Sequence, residues 1–143
     1  MTNNIWRSLS VILPLILFGF LASLFLERPG LQTDEILFAN LSLGEISHTT
    51  YIARKIGGIT FFVISYIGAL KSWIFIPIFK VFGFNYISVR IPMILLSMVS
   101  LLLVYKSVHI SFKKPFLAWM ILMALVTEST FITMVRTDVG PIA

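Results

Sequence analysis

Long apolar stretches dominate the pattern of positions along this chain. Three of them, at about residues 8–26, 91–110 and 115–135, are each long enough to cross a bilayer, which takes about 20 residues of helix. Pro14 interrupts the first stretch, and a membrane helix tolerates proline when a neighbour pairs with the carbonyl that the ring leaves free. The pattern therefore predicts an all-α fold, a polytopic transmembrane helical bundle with about three spans.

The region between the first two stretches, residues 27–90, is predicted to be a loop outside the membrane. Within it, residues 57–79 are apolar enough to span but are interrupted by Gly68, Lys71 and Pro77. A charged residue near the centre of a span costs about 2.5–3.5 kcal/mol on insertion scales. We therefore predict that residues 57–79 form helices lying at the interface or packed on the bundle, with a further span as the alternative.

The start of this loop, "TDEILFANLSLGEI", has the pattern of a short amphipathic helix beside the membrane. We expect Thr33 or Asp34 to cap it, since both residue types are common helix starts. Asp34 and Glu35 are neighbours, and consecutive helical side chains point about 100° apart. They therefore cannot aim equally well at one point. On composition alone, the two acids could simply cap a surface helix.

Composition supports a membrane protein. The 143 residues are 58% hydrophobic and 12% charged, with a mean hydropathy of +0.98, whereas soluble domains carry about 25% charged residues. The net charge of +5 is spread along the chain, which indicates contact with a membrane surface rather than with nucleic acid. Without cysteine there is no disulfide, thiolate nucleophile or Cys-ligated zinc. His48 has no second ligand at metal-binding spacing, and a divalent metal is left open.

The positions of the cations predict an orientation. Arg7 precedes the first span, and Lys113 and Lys114 lie in the turn between the last two spans, so the positive-inside rule places them in the cytoplasm with the N-terminus. The loop at residues 27–90 is then external. Because two crossings separate Asp34 from Asp138, we expect both acids to face the same compartment.

The order of these features resembles a known family. An acidic pair follows the first span, then come "YIGALKSWIFIPIFKVFGFNYISVRIP", a span, and "RTD" after the next span. From about residue 8 to 140, this is similar to the N-terminal part of the polyprenyl-phosphate-sugar-dependent glycosyltransferases of the GT-C superfold. That group includes protein O-mannosyltransferases and aminoarabinose transferases of lipid A. Its members continue through more spans, so we expect residues 1–143 to be a fragment of a larger GT-C-type membrane domain, inactive alone.

The resemblance implies a function and a site. Such an enzyme would transfer a sugar from a polyprenyl-phosphate donor to a lipid, glycan or protein acceptor on the outer face of a bacterial inner membrane. Its partners would be that donor, membrane lipids and the acceptor, with no cofactor certain. The expected catalytic residues are Asp34, with Glu35 beside it, and Asp138. A positioned carboxylate can take the proton of the acceptor hydroxyl. Such a general base typically raises the reaction rate by about 10²- to 10⁴-fold.

Cations are expected to hold the leaving phosphate of the donor. Arg136, Lys71 and Arg90 are the candidates for this substrate-binding role. A guanidinium suits phosphate best because it can bind two oxygens at once, whereas a lysine acts as a point charge.

Two other classes of protein remain alternatives. In a transporter or lipid-handling protein, Glu128 inside the third stretch would be the working residue, since an intramembrane acid is expensive and should face protein or water. The chain could also be an accessory subunit with no chemistry of its own.

Overall fold

The computed structural model describes residues 2–43, 54–56, 59–64, 67–68 and 70–137. Within these ranges there are six helices and three short strands. In chain order they are α1 (Thr2–Ser23), α2 (Thr33–Leu43), β1 (Arg54–Ile56), β2 (Ile59–Ile64), β3 (Ile67–Gly68), α3 (Leu70–Phe82), α4 (Tyr86–Phe112), α5 (Pro115–Thr127) and α6 (Ser129–Thr137). The helices confirm the predicted helical architecture, and the strands are an addition that the sequence pattern did not predict.

The chain divides into two compact units. Met1–Leu26 and Ile91–Arg136 form the first, which we call the helical unit. Glu27–Arg90 and Thr137–Ala143 form the second, which we call the loop unit.

The helical unit packs α1, most of α4, α5 and α6 around one apolar cluster. Its members recur at helical spacing, so that each helix contributes one face. They are Val11, Phe18, Ala22, Ile94, Leu101, Leu122 and Val126. Gly19 allows α1 and α4 to approach closely, since a Cβ there would lie 3.3 Å from the sulfur of Met98.

The outward faces of the same helices are also apolar. Large side chains such as Leu13, Phe20, Leu96 and Leu103 are exposed on α1 and α4. A helix that is apolar all round lies in a protein core or in a membrane, and only 28% of the most apolar window of α4 is buried inside the protein. The surroundings that suit these faces are therefore lipid.

The helix lengths bear out the predicted spans only in part. Within the described residues, α4 is the one continuous helix long and apolar enough to cross a membrane, and it contains the predicted span at residues 91–110. The predicted span at residues 115–135 is two helices, α5 and α6, bent by 62° at a break. The apolar part of α1, Leu9–Ser23, is shorter than span length.

Pro14 leaves one carbonyl of α1 without its usual helical donor, and a neighbouring helix supplies another. Pro14 has no N–H to donate to the carbonyl of Ser10 one turn earlier. The indole N–H of Trp119, on α5, donates to that carbonyl at 3.2 Å. This confirms that a neighbouring helix supplies the hydrogen bond that the proline removes.

The loop unit packs α2 against α3. Its buried apolar side chains include Leu37 and Phe38 of α2 and Phe75 and Phe79 of α3. Two serines fix the contact: the hydroxyl of Ser42 lies 2.9 Å from the carbonyl oxygen of Ser72, and the hydroxyl of Ser72 donates to the carbonyl of Phe38 at 3.2 Å.

A small antiparallel sheet precedes α3, where we predicted only helix. Its strand order is β1–β2–β3, with Ile56 opposite Ile59 and Ile64 opposite Ile67. The stretch "ITFFVI" is rich in β-branched and aromatic residues, which favour strands. The helical prediction for residues 57–79 therefore differs from the structure over the strand residues and agrees with it from Leu70 onwards.

Candidate functional site

Glu35 belongs to the cap of α2. The amide of Ile36 donates to the carbonyl of Gln32 at 3.1 Å, which places Gln32 at the N-cap position. The carboxylate of Glu35, three residues later, accepts the amide N–H of Gln32 at 2.7 Å. This is the acidic half of a capping box. The cap is thus Gln32 with Glu35, rather than Thr33 or Asp34.

Arg90 is positioned by the connection between α3 and α4. Gly83 ends α3 with φ of 70°, in the left-handed region that glycine tolerates. Asn85 then caps α4: its side-chain oxygen accepts the amide N–H of Ser88 at 2.9 Å, and the hydroxyl oxygen of Ser88 accepts the amide N–H of Asn85 at 3.0 Å. Arg90 follows within the second turn of α4.

Glu35 and Arg90 form a buried, bidentate ion pair. Arg90 Nε donates to Glu35 Oε1 at 2.9 Å, and Arg90 Nη2 donates to Glu35 Oε2 at 3.0 Å. Both side chains have 0% exposure. Nη2 also reaches the carbonyl oxygens of Pro29 at 3.0 Å and Gly30 at 3.1 Å. The pair therefore ties α4 to α2 and to the turn before it.

This pairing leaves Glu35 and Arg90 directed at each other. Both carboxylate oxygens of Glu35 accept protein hydrogen bonds, and the guanidinium of Arg90 faces the interior of the loop unit. In this arrangement neither group is open to a substrate. Asp34 differs, since it is only half-buried. Among the described residues, none forms a hydrogen bond or ion pair with its carboxylate.

Lys71 lies at the start of α3. Its ammonium is 4.2 Å from the centre of the Phe38 ring, a cation–π distance. The residue is half-buried. The ammonium therefore lies against α2, the helix that carries Asp34, within the same unit.

Arg136 lies at the end of α6 in the helical unit. Its Nη1 donates to the carbonyl oxygen of Leu24, just after α1, at 2.7 Å. Its Nε is buried, and no hydrogen-bond partner for it lies in the part of the chain that the structure describes. Asp138, the second predicted catalytic acid, lies outside the described residues, as does His48.

Glu128 occupies the break between α5 and α6. Its carboxylate accepts the amide N–H groups of Thr130 at 3.0 Å and of Phe131, and its carbonyl accepts that of Ile132 at 3.1 Å. Glu128 is therefore the N-cap of α6. This assigns its carboxylate to a helix end, and it supplies no observation in favour of a transporter.

No metal cluster is seen in the ranges that the structure describes: they contain no group of three or more histidines and acids placed to hold an ion. The charged groups that the described part of the loop unit brings together at Glu35 are instead its carboxylate and the guanidinium of Arg90, which neutralise each other.

The pairing of Glu35 with Arg90 was missed by sequence reasoning. Arg90 was singled out for its place at the mouth of a span, and Glu35 for its place beside Asp34. The sequence does contain a signal for the position of Glu35, since an acid at the third helical position commonly accepts the amide N–H of the N-cap residue. Nothing local connects two residues that lie 55 positions apart.

These observations describe a helical membrane protein whose loop unit holds a half-buried acid, Asp34, beside a buried ion pair. In a comparison with protein-family models, residues 68–141 match the model of the dolichyl-phosphate-mannose-protein mannosyltransferase family. The match covers more than half of the chain, and the chain belongs to this family, which is of the GT-C type. It confirms the resemblance drawn from the sequence. A search of curated proteins found no match, and neither did a search of solved structures.

The matched segment contains only some of the candidate residues. Lys71, Arg90, Arg136 and Asp138 lie within residues 68–141, whereas Asp34 and Glu35 precede them. Membership supports a glycosyltransferase that uses a lipid-phosphate sugar.

Proposed function

We propose that this chain forms part of a membrane glycosyltransferase that transfers a sugar from a polyprenyl-phosphate donor to a cell-envelope acceptor on the outer face. The family match supports the reaction class and the kind of donor. The observation that carries the site is the contrast between two neighbouring acids: Glu35 is buried in an ion pair, and Asp34 beside it is only half-buried.

Asp34 is the general base of this proposal. It takes the proton of the acceptor hydroxyl while the hydroxyl oxygen bonds to the anomeric carbon of the sugar. The bond from that carbon to the phosphate oxygen breaks, and its electron pair leaves with the lipid phosphate. A carboxylate held at an accessible helix start is suited to this proton transfer, since geometry is the first requirement of a base.

Glu35 and Arg90 act as positioning residues. Their pair fixes the first turn of α2 against the start of α4 and the backbone at Pro29 and Gly30. Because neighbouring helical side chains diverge by about 100°, a Glu35 that is locked inward sets the direction of Asp34. This replaces direct contact with substrate, the role expected for Glu35 and Arg90 from sequence.

The remaining candidates keep their predicted roles as part of the proposal. Asp138 is the second catalytic acid, and Lys71 and Arg136 are the cations for the donor phosphate. Lys71 is supported by its place on α3 beside α2, and Arg136 by its buried Nε. We further propose a multi-pass protein of the bacterial inner membrane with a cytoplasmic N-terminus.

The test is the rate of sugar transfer in membranes of cells that express the natural gene carrying Asp34→Asn. We expect a loss of at least about 10²-fold, the lower end for a missing general base. Glu27→Gln is the matched control, because it removes one exposed carboxylate from the same loop and should leave the rate within a few-fold of wild type. A normal rate in an Asp34→Asn protein that inserts normally would overturn the assignment.

A further inference from the structure

A cavity opens in the helical unit near the turn that joins α4 to α5. Its volume is about 630 Å³, and α1, the last turns of α4 and the first turns of α5 line it. The lining residues that matter here are Ser10, Tyr105, Lys106, His109, Phe116 and Trp119. None of the residues proposed for sugar transfer belongs to it.

The wall of the cavity combines apolar and aromatic surface with basic groups. The rings of Tyr105 and His109 stack at 6.1 Å, and those of Phe116 and Trp119 stack at 6.4 Å. Trp119 is also held by its hydrogen bond to the carbonyl of Ser10. Such a wall suits an acyl chain, and the basic groups suit an anion.

The charge around this cavity has one sign. Lys106 lines it, and Lys113 and Lys114 form the adjacent turn. No aspartate or glutamate occurs in residues 1–26 or 91–127, the segments that build this part of the unit. The lysines therefore have no acid nearby in sequence to neutralise them, and a negative ligand is the complement.

The length of α4 indicates at which level of the membrane the cavity lies. Its 27 residues extend about 40 Å at 1.5 Å per residue, more than the hydrocarbon core of about 30 Å. The ends of α4 therefore reach the headgroup layer. Lys106 and His109 lie in the last two turns of α4, and the long lysine stem can extend its ammonium toward the headgroup layer at that end.

We propose that this cavity binds an anionic phospholipid, with the phosphate at Lys106 and the turn lysines and an acyl chain along the aromatic wall. Basic pockets between membrane helices are a recurring mode of headgroup recognition. The apolar wall argues for a lipid rather than a free anion, because a soluble phosphate would leave that surface unused. This site goes beyond the proposed transfer reaction and does not depend on it.

The test uses Trp119 as the reporter. In a Trp6→Phe/Trp73→Phe background Trp119 is the sole tryptophan, since the chain has three. The protein is placed in phosphatidylcholine vesicles that contain either bromine-labelled phosphatidylglycerol or, at the same mole fraction, bromine-labelled phosphatidylcholine. We expect stronger quenching of Trp119 by the anionic lipid, and inorganic phosphate should not relieve it.

Charge variants separate a site from general surface attraction. Lys106→Gln should weaken the preference for phosphatidylglycerol by about fivefold, the contribution of one lysine near a membrane surface. Lys106→Arg should keep the preference, and Lys80→Gln, an exposed lysine of α3, is the matched control and should also keep it. Equal quenching by both lipids, relief by inorganic phosphate, or equal losses in Lys106→Gln and Lys80→Gln would each overturn the proposal. Circular dichroism of each variant checks that it is folded.

Discussion

At the scale of single residues, the ion pair of Glu35 and Arg90 is the most constrained feature of the loop unit. Its two hydrogen bonds measure 2.9 and 3.0 Å, and its side chains have 0% exposure. A buried pair is a weak source of net stability, because removing two charges from water costs about as much as their attraction returns. The pair instead fixes an orientation, since its bidentate geometry holds α2 against the first residues of α4, which belong to the loop unit.

Removing both partners of this pair should destabilise the protein by much less than the two single losses added together. We expect Glu35→Gln and Arg90→Met each to lower the free energy of unfolding by about 3–5 kcal/mol, because each leaves one buried charge without its partner. In the double variant no charge remains buried, and the side-chain amide oxygen introduced by Glu35→Gln can still accept the backbone N–H of Gln32. The loss should then be well below the sum of the single losses.

Denaturant titration in detergent micelles, followed by circular dichroism, measures these three variants. Glu27→Gln makes the same chemical change at an exposed position and should stay within about 0.5 kcal/mol of wild type. Additive losses in the double variant would show that the two side chains do not act as a pair.

At the scale of elements, a particular residue or side chain marks each turn or break between the helices. Gly83 ends α3 in the left-handed conformation, and Lys113 does the same for α4, with φ of 53°, before Pro115 begins α5. Glu128 caps α6 after α5 has ended. Proline at the first helical position and a left-handed residue after the last are common helix boundaries.

The hydrogen bond between Trp119 and Ser10 gives a prediction at this scale. Trp119→Phe should lower the free energy of unfolding by about 1 kcal/mol, since the carbonyl of Ser10 loses its donor. In a Pro14→Ala background, the new amide N–H of residue 14 can take over that carbonyl, and the same change should cost clearly less. A double-mutant cycle from unfolding titrations measures the difference. Equal costs in both backgrounds would contradict the role given to the indole.

At the scale of the whole molecule, local sequence patterns predicted most of the helices, but they did not predict which distant residues pair. The helix at residues 33–43 was predicted from its own residues, whereas the tie from Glu35 to Arg90 needed a fold to bring them together. The sequence pattern predicts helix for the strand "ITFFVI", because a short apolar run has no period that separates a strand from a helix. The sequence pattern does not predict the bend at Glu128, because no proline or glycine lies near it.

The described helices also bear on how the chain crosses the membrane. α2 has 11 residues and α3 has 13, so they extend about 16 and 20 Å, less than the hydrocarbon core of about 30 Å. Neither is long enough to cross. That residues 27–90 lie on one side of the membrane, with α4 leading to the other side, stays a prediction.

The bent pair of α5 and α6 decides the side on which the proposed second acid lies. If the pair crosses as one broken span, two crossings separate Thr33 from Thr137, and both positions face the compartment opposite Ser111. Because the chain has no cysteine, single cysteines at these three positions can be labelled with an impermeant maleimide without background. We expect Thr33→Cys and Thr137→Cys to label together from one side and Ser111→Cys only from the other. If Thr137→Cys labels with Ser111→Cys instead, α5 and α6 turn back within the membrane, and Asp138 cannot share a site with Asp34.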